Sequence, residues 1–136
     1  MNASKWPSID QLNPLIEEIS RRLTLAEMQL RSLGEMTQTG QYDRQDSLHL
    51  IDLLQTNLDL ELDISEYTNQ LNYWENQERL TAFQKGEINY ANTRLDRLAV
   101  VNVNIIRLSQ SFLEHVESAE TIVSGIIKRL QFNARP

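Results

Sequence analysis

The sequence predicts an all-α protein, an elongated antiparallel helical bundle or coiled-coil hairpin with three long helices. The first reason is a heptad pattern, in which apolar residues recur at alternating intervals of three and four residues from Ile88 to Leu130. Such a repeat is typical of helices that wind around partner helices with a left-handed twist. The second reason is that the chain contains only 4 Gly and 3 Pro, so few residues would interrupt long helices.

Residues 1–12 are expected to form a leader that precedes the helices. Within it, Ser8 and Gln11 have the spacing of a capping box. A helix that began at this box would contain Pro14, which lacks an amide hydrogen and clashes with the preceding turn. We therefore predict that the leader continues to residue 12.

The first helix is predicted over residues 13–33. Asn13 can serve as its N-cap, and Pro14 then takes the first helical position, where its fixed φ suits the helix. Gly34 is a typical C-terminal cap and is expected to end the helix. The apolar stripe of this helix consists of Leu12, Ile16, Ile19, Leu23, Ala26, Leu30 and Leu33.

The second helical region is predicted over residues 43–85, with Asp43 as its cap. Its apolar residues form two stripes that are out of phase by two residues. The first stripe is Leu50 or Ile51, Leu54 and Leu58, and the second is Leu60, Ile64, Tyr67, Leu71 and Trp74. The change of phase near Asn57 predicts a kink, a break or a change of packing partner. A break there would give four helices instead of three.

Two segments leave a strand interpretation open. Residues 58–64 and 101–105 alternate strictly between apolar and polar side chains, which is a strand signal. The two segments could pair as a small antiparallel sheet in an α+β fold. We favour helices, because residues 101–105 lie inside the heptad run and neither segment is bounded by turn residues.

Gly86 predicts the turn before the third helix, which is expected over residues 87–132. A helix of that length spans about 65 Å, whereas the first helix spans about 30 Å. Helices of such unequal length cannot cover all their apolar stripes within one compact monomer. Either the second region breaks near Asn57, or another chain covers part of the long hairpin.

Composition and charge narrow the functional classes. We expect a single domain over residues 1–136. The chain contains no Cys, which excludes disulfides, thiolate metal sites and cysteine nucleophiles. The net charge of -6 argues against binding to a nucleic-acid backbone. No apolar run approaches the ~20 residues that cross a bilayer, and no signal-peptide pattern opens the sequence. These observations predict a cytoplasmic protein that binds neither nucleic acid nor membranes.

No pattern of catalytic, cofactor-binding or metal-binding residues is found. A di-metal carboxylate bundle uses Glu-x-x-His motifs, but Phe112 stands three residues before His115 and only Asp46 precedes His49 at that spacing. Neither a phosphate-binding Gly-rich loop nor a nucleophile with an identifiable base occurs. We therefore predict that the protein is not an enzyme and has no cofactor.

Two polar residues, Asn102 and Ser109, interrupt the heptad seam of the third helix. A buried Asn at such a position can set the register and the number of partner helices, at a cost in stability. The alternative is a polar pocket between the helices that binds a small ligand.

Aromatic residues gather toward the predicted turn at Gly86. They are Tyr67, Tyr73, Trp74, Phe83 and Tyr90. One interpretation is that they fill the core at the end of the bundle. The other is an exposed aromatic patch, since Tyr and Trp are enriched in binding hot spots.

The second helical region is strongly acidic. Residues 45–78 contain no Lys or Arg, and the acids at the centre of this stretch are Asp59, Glu61, Asp63 and Glu66. They form either a solvated helix face or a docking surface for a basic partner.

These features favour a non-enzymatic protein–protein interaction module, such as an adaptor, an assembly factor or a structural component. It would bind a protein partner or form a homo-oligomer through its heptad seams. One alternative is a chaperone or inhibitor that masks a basic partner protein. Another is a helical-bundle enzyme or ligand-binding protein with a pocket near Asn102 and Ser109.

Overall fold

A computed structural model describes three stretches of the backbone and most of their side chains. The backbone is described for residues 7–39, 44–77 and 79–133, and the side chains for residues 7–36, 47–77 and 79–115.

The described chain consists of one short 3-10 turn, Ile9–Gln11, and three α-helices. The helices are α1 (Leu12–Thr39), α2 (Arg44–Glu75) and α3 (Ala82–Asn133). The predicted all-α bundle of three long helices is confirmed, and the described residues contain no strand. Both segments with a strand-like alternation are helical, residues 58–64 in α2 and residues 101–105 in α3.

The helices run up, down and up around a common core. Trp74, near the end of α2, donates a hydrogen bond to Pro7, just before α1, whereas Asp63, earlier in α2, accepts one from Arg22, further along α1. The two helices are therefore antiparallel. A short connection then returns the chain into α3, which packs against both α1 and α2. α3 has 52 residues and therefore spans about 78 Å, well beyond the other two helices.

The start of α1 differs from the prediction. The Ser8 hydroxyl accepts a hydrogen bond from the Asp10 amide at 3.4 Å, and its carbonyl accepts one from the Gln11 amide at 2.9 Å. Ser8 therefore caps a 3-10 turn that leads directly into α1, so Asn13 is not the N-cap. Pro14 is tolerated because the amides of the first helical turn have no partner within the helix.

α1 also continues past Gly34, which was predicted to end it, and reaches Thr39. A glycine inside a helix costs only about 1 kcal/mol relative to alanine. Leu33 is buried and Met36 packs against the core on the next turn. This packing on both sides of Gly34 explains why the helix does not stop there.

α2 is a single helix, so the break near Asn57 that was one of the three alternatives does not occur. Asn57 is 1% exposed and faces the core together with the apolar residues. Once it is counted as a core position, α2 has one unbroken heptad seam instead of two stripes out of phase. The seam consists of Leu50, Leu53, Asn57, Leu60, Ile64, Tyr67, Leu71 and Trp74.

The connection between α2 and α3 precedes its predicted place at Gly86. α2 ends at Glu75 and α3 begins at Ala82, so Gly86 lies inside α3. A reciprocal capping box starts α3: the Thr81 hydroxyl accepts from the Gln84 amide at 3.0 Å, and the Gln84 side chain accepts from the Thr81 amide at 2.9 Å. This pair satisfies two amides that would otherwise lack partners.

The predicted seam of α3 is confirmed over its described side chains. All eight heptad positions from Ile88 to Phe112 are buried. They are Ile88, Ala91, Leu95, Leu98, Asn102, Ile105, Ser109 and Phe112. The remaining predicted positions, from Val116 to Leu130, lie outside the described side chains.

A polar layer crosses the core where the seams of α2 and α3 meet. The Asn102 side-chain amide donates to the Asn57 carbonyl at 3.0 Å, and the Asn57 side-chain amide donates to the Leu53 carbonyl at 2.7 Å. The side-chain oxygens of both asparagines have no partner among the described residues. The layer therefore links α2 and α3 by one hydrogen bond, but the burial of two unpaired side-chain oxygens costs free energy of folding.

Replacing Asn102 by Leu is expected to raise the free energy of unfolding by about 1–2 kcal/mol, since an apolar side chain of similar size removes an unpaired buried oxygen. Chemical denaturation of both proteins measures the change. Leu98→Ala in the same seam is the control and should lower the free energy of unfolding by about 2–5 kcal/mol. A less stable Asn102→Leu protein would mean that the amide hydrogen bond outweighs the cost of burial.

Candidate interaction surface

A second apolar stripe lies on the face of α2 that points away from the core. Leu48, Ile51, Leu58 and Leu62 are 63%, 50%, 44% and 72% exposed, respectively. Leu48 precedes the core residue Leu50 by two positions, or about 200° around the helix, so the two side chains point in nearly opposite directions. α2 therefore has one apolar face inside the bundle and another outside it.

The outer stripe has heptad spacing. With exposed Gln55 included, its positions alternate by three and four residues: Leu48, Ile51, Gln55, Leu58 and Leu62. We call these five residues the outer seam. Sequence reasoning missed the outer seam because Gln55 interrupts it and because Ile51 and Leu58 were considered for a core stripe. The signal that could have found it is a second heptad series offset by two residues from the first.

The predicted acidic residues separate into two groups. Asp59, Glu61 and Glu66 are exposed, as is Asp52, and none of the four forms an ion pair with a described residue. Asp63 instead faces α1 and accepts a hydrogen bond from Arg22 at 2.7 Å.

Arg22 joins α1 to α2 across the side of the bundle. Besides its ion pair with Asp63, its guanidinium lies 5.8 Å from the centre of the Tyr67 ring. Burial by itself would lower the pKa of Arg22, but the hydrogen bond to Asp63 and the nearby negative charges raise the pKa above its ordinary value. Burial raises the pKa of Tyr67, and the charge of Arg22 offsets part of that effect. Tyr67 and Asp63 therefore contribute to packing between helices.

The five predicted aromatic residues do not form one exposed patch. Trp74 is 1% exposed, and its indole nitrogen donates to the Pro7 carbonyl at 2.9 Å. Tyr67 and Tyr73 are half-buried against the core. Phe83 and Tyr90 are exposed on α3, and Arg94 donates to the Tyr90 hydroxyl at 2.7 Å. Trp74 and the two half-buried tyrosines thus contribute to the core at this end of the bundle.

Asn102 and Ser109 lie inside the packed seam, 1% and 0% exposed. Four of the surface cavities in the described part of the chain are lined by other residues. The largest of these four, about 750 Å³, lies at the end of the bundle beside Ile9, Trp74 and Leu80. Another of about 270 Å³ lies between α1 and α2 beside Arg22 and Asn57. None of the four is lined by Asn102 or Ser109.

In the described part of the chain, no three His, Asp or Glu side chains converge in a way that would hold a metal ion. Within the same residues, no helix combines the length and the apolar character that crossing a membrane requires.

Comparison with known proteins gives no relative from which a function could be transferred. No family model matches the chain, and no curated protein or solved structure shows significant similarity to it. The surfaces of the bundle itself are therefore the guide to its function.

Replacing Arg22 by Met is expected to lower the free energy of unfolding by about 1 kcal/mol, because it removes the partly buried link between α1 and α2. Arg21→Met is the matched control. Among the described residues Arg21 pairs only with Glu18 of its own helix, and its side chain is 66% exposed. Its loss should therefore change stability by less than about 0.5 kcal/mol. Equal effects of the two substitutions in chemical denaturation would contradict a structural role for the Arg22–Asp63 link.

Proposed function

We propose that this protein is a non-enzymatic protein–protein interaction module that binds through the outer seam of α2. The observation that carries the proposal is the exposure of four large aliphatic side chains along one line of a helix. Single exposed apolar residues are ordinary, but a contiguous apolar stripe is typical of an interaction site. An adaptor, an assembly factor and a structural component all use surfaces of this kind.

Within the described part of the chain, neither α1 nor α3 covers the outer seam. α3 packs on the core face of α2. α1 meets α2 through the link from Arg22 to Asp63, on the side of the helix. A two-faced helix of this kind is suited to join a bundle at one face and a partner at the other.

Three further parts of the proposal have indirect support. The absence of Cys fits a cytoplasmic location. The burial of Asn102 and Ser109 supports binding by a surface rather than by an internal polar pocket. The length of α3 relative to the other helices supports assembly with a second chain, either a different protein or another copy.

A photo-crosslinking amino acid at Gln55 tests the proposal, because this residue lies in the middle of the outer seam and is exposed. We expect it to capture a defined protein, or a second copy of the chain, in cells of the protein's source. The same amino acid at Asn104, which is exposed on α3, is the control.

The captured product should disappear when Leu58 and Leu62 are both replaced by Ser, while the fold, measured by circular dichroism, remains intact. Equal capture at both sites, unaffected by the two substitutions, would refute the role of the outer seam.

A further inference from the structure

The charges that flank the outer seam indicate the chemistry of the partner. We propose that the outer seam binds an amphipathic helix from another protein whose apolar stripe is bordered by Lys or Arg. This inference builds on the proposed interaction function and adds the type of partner to it.

The heptad assignment places the acids where a coiled coil selects its partner. With Leu48 as position a, the outer seam occupies successive a and d positions. Asp52, Asp59 and Glu66 are spaced by seven residues and take position e, whereas Glu61 takes position g. Side chains at e and g border the apolar contact and pair with charges on the opposing helix. Acids on both borders favour a basic helix in either orientation.

Within the described part of the chain, no cation forms an ion pair with these four acids. All four are exposed. Arg21 and Arg22 of α1 lie across the groove between α1 and α2, where they pair with Glu18 and Asp63. The field along the outer seam therefore remains negative, which speeds the encounter with a positive partner and repels a negative one.

The outer seam also sets the length of the partner helix. The outer seam extends over 15 residues, from Leu48 to Leu62, or about 21 Å along the helix axis. The next two positions in phase, Ser65 and Asn69, are polar and exposed. A partner helix of about two to three heptads would cover the stripe.

A second copy of this chain is a poorer occupant. If two α2 helices met through their outer seams, Asp52, Asp59, Glu61 and Glu66 of one copy would face the same acids of the other. Like charges at e and g positions oppose pairing. The charge pattern therefore favours a different, basic chain over a symmetric dimer through this face.

The test uses the full-length protein and two synthetic helical peptides of about three heptads. Both carry Leu at a and d; one carries Lys at e and g, and the other carries Glu. Fluorescence anisotropy at about 50 mM and about 500 mM salt measures their binding. We expect the Lys peptide to bind at least about tenfold more tightly at low salt, and this preference to shrink at high salt.

Charge reversal locates the effect. Replacing Asp52 and Asp59 together by Lys should weaken binding of the Lys peptide roughly tenfold and improve binding of the Glu peptide. Asp96→Lys, at an exposed acid of α3, is the matched control and should change binding less than about twofold. Circular dichroism establishes that each variant retains the fold.

The possible failures are distinguishable. Equal binding of the two peptides, or no effect of reversing Asp52 and Asp59, would overturn the basic partner but leave the outer seam as an interaction site. A dimer of the chain that is lost on replacing Leu58 and Leu62 by Ser would do the same and would identify a second copy as the occupant. If neither peptide binds, the basic helix is refuted. The interaction function fails as well if crosslinking at Gln55 captures nothing, or captures no more than crosslinking at Asn104 does and is unaffected by replacing Leu58 and Leu62.

Discussion

The hydrogen bond from Asn102 to the backbone of Asn57 is the contact on which the arrangement of α2 depends. An amide in an apolar seam needs an acceptor opposite it, and leaving its donor unpaired costs about 1–3 kcal/mol. A shift of α2 along α3 would remove that acceptor. The bond thus favours the axial register in which Asn102 lies opposite Asn57. The apolar seam of α2 then determines which face meets solvent, since Leu53 and Leu71 are buried while Leu58 remains exposed.

α3 packs closely against both other helices, whereas the outward face of α2 remains exposed, and we place the function on that face. α3 contributes a buried seam that serves both other helices, whereas α1 and α2 are joined at their sides through Arg22 and Asp63. This arrangement leaves the outward face of α2 apolar and acidic at once. Such a surface combines the nonspecific attraction of apolar burial with the selectivity of charge. It accounts for a helix whose exposed leucines contribute nothing to the core.

The heptad pattern could be predicted from the sequence where apolar residues occupy most of its positions. It was missed where a polar residue occupies a core position. The seam of α3 could be predicted because its apolar residues tolerate two polar interruptions without losing phase. In α2 the single residue Asn57 concealed the continuity of the seam, since its polarity suggested a break. The helix ends were misplaced because Gly34 and Gly86 were given more weight than packing and the Thr81 capping box. Burial is a property of the assembled helices, so only the structure separated the outer seam from the core seam.

The reactivity of single cysteines measures most directly whether α2 has one buried face and one exposed apolar face. The natural chain contains no Cys, so each substitution introduces the only thiol. Leu58→Cys and Leu62→Cys should react with a maleimide at rates close to those of a free thiol. Leu53→Cys and Leu71→Cys should react at least about a hundredfold more slowly, because reaction there requires local opening of the core. Protection at 58 and 62, or equal reactivity at all four positions, would contradict the two-faced helix.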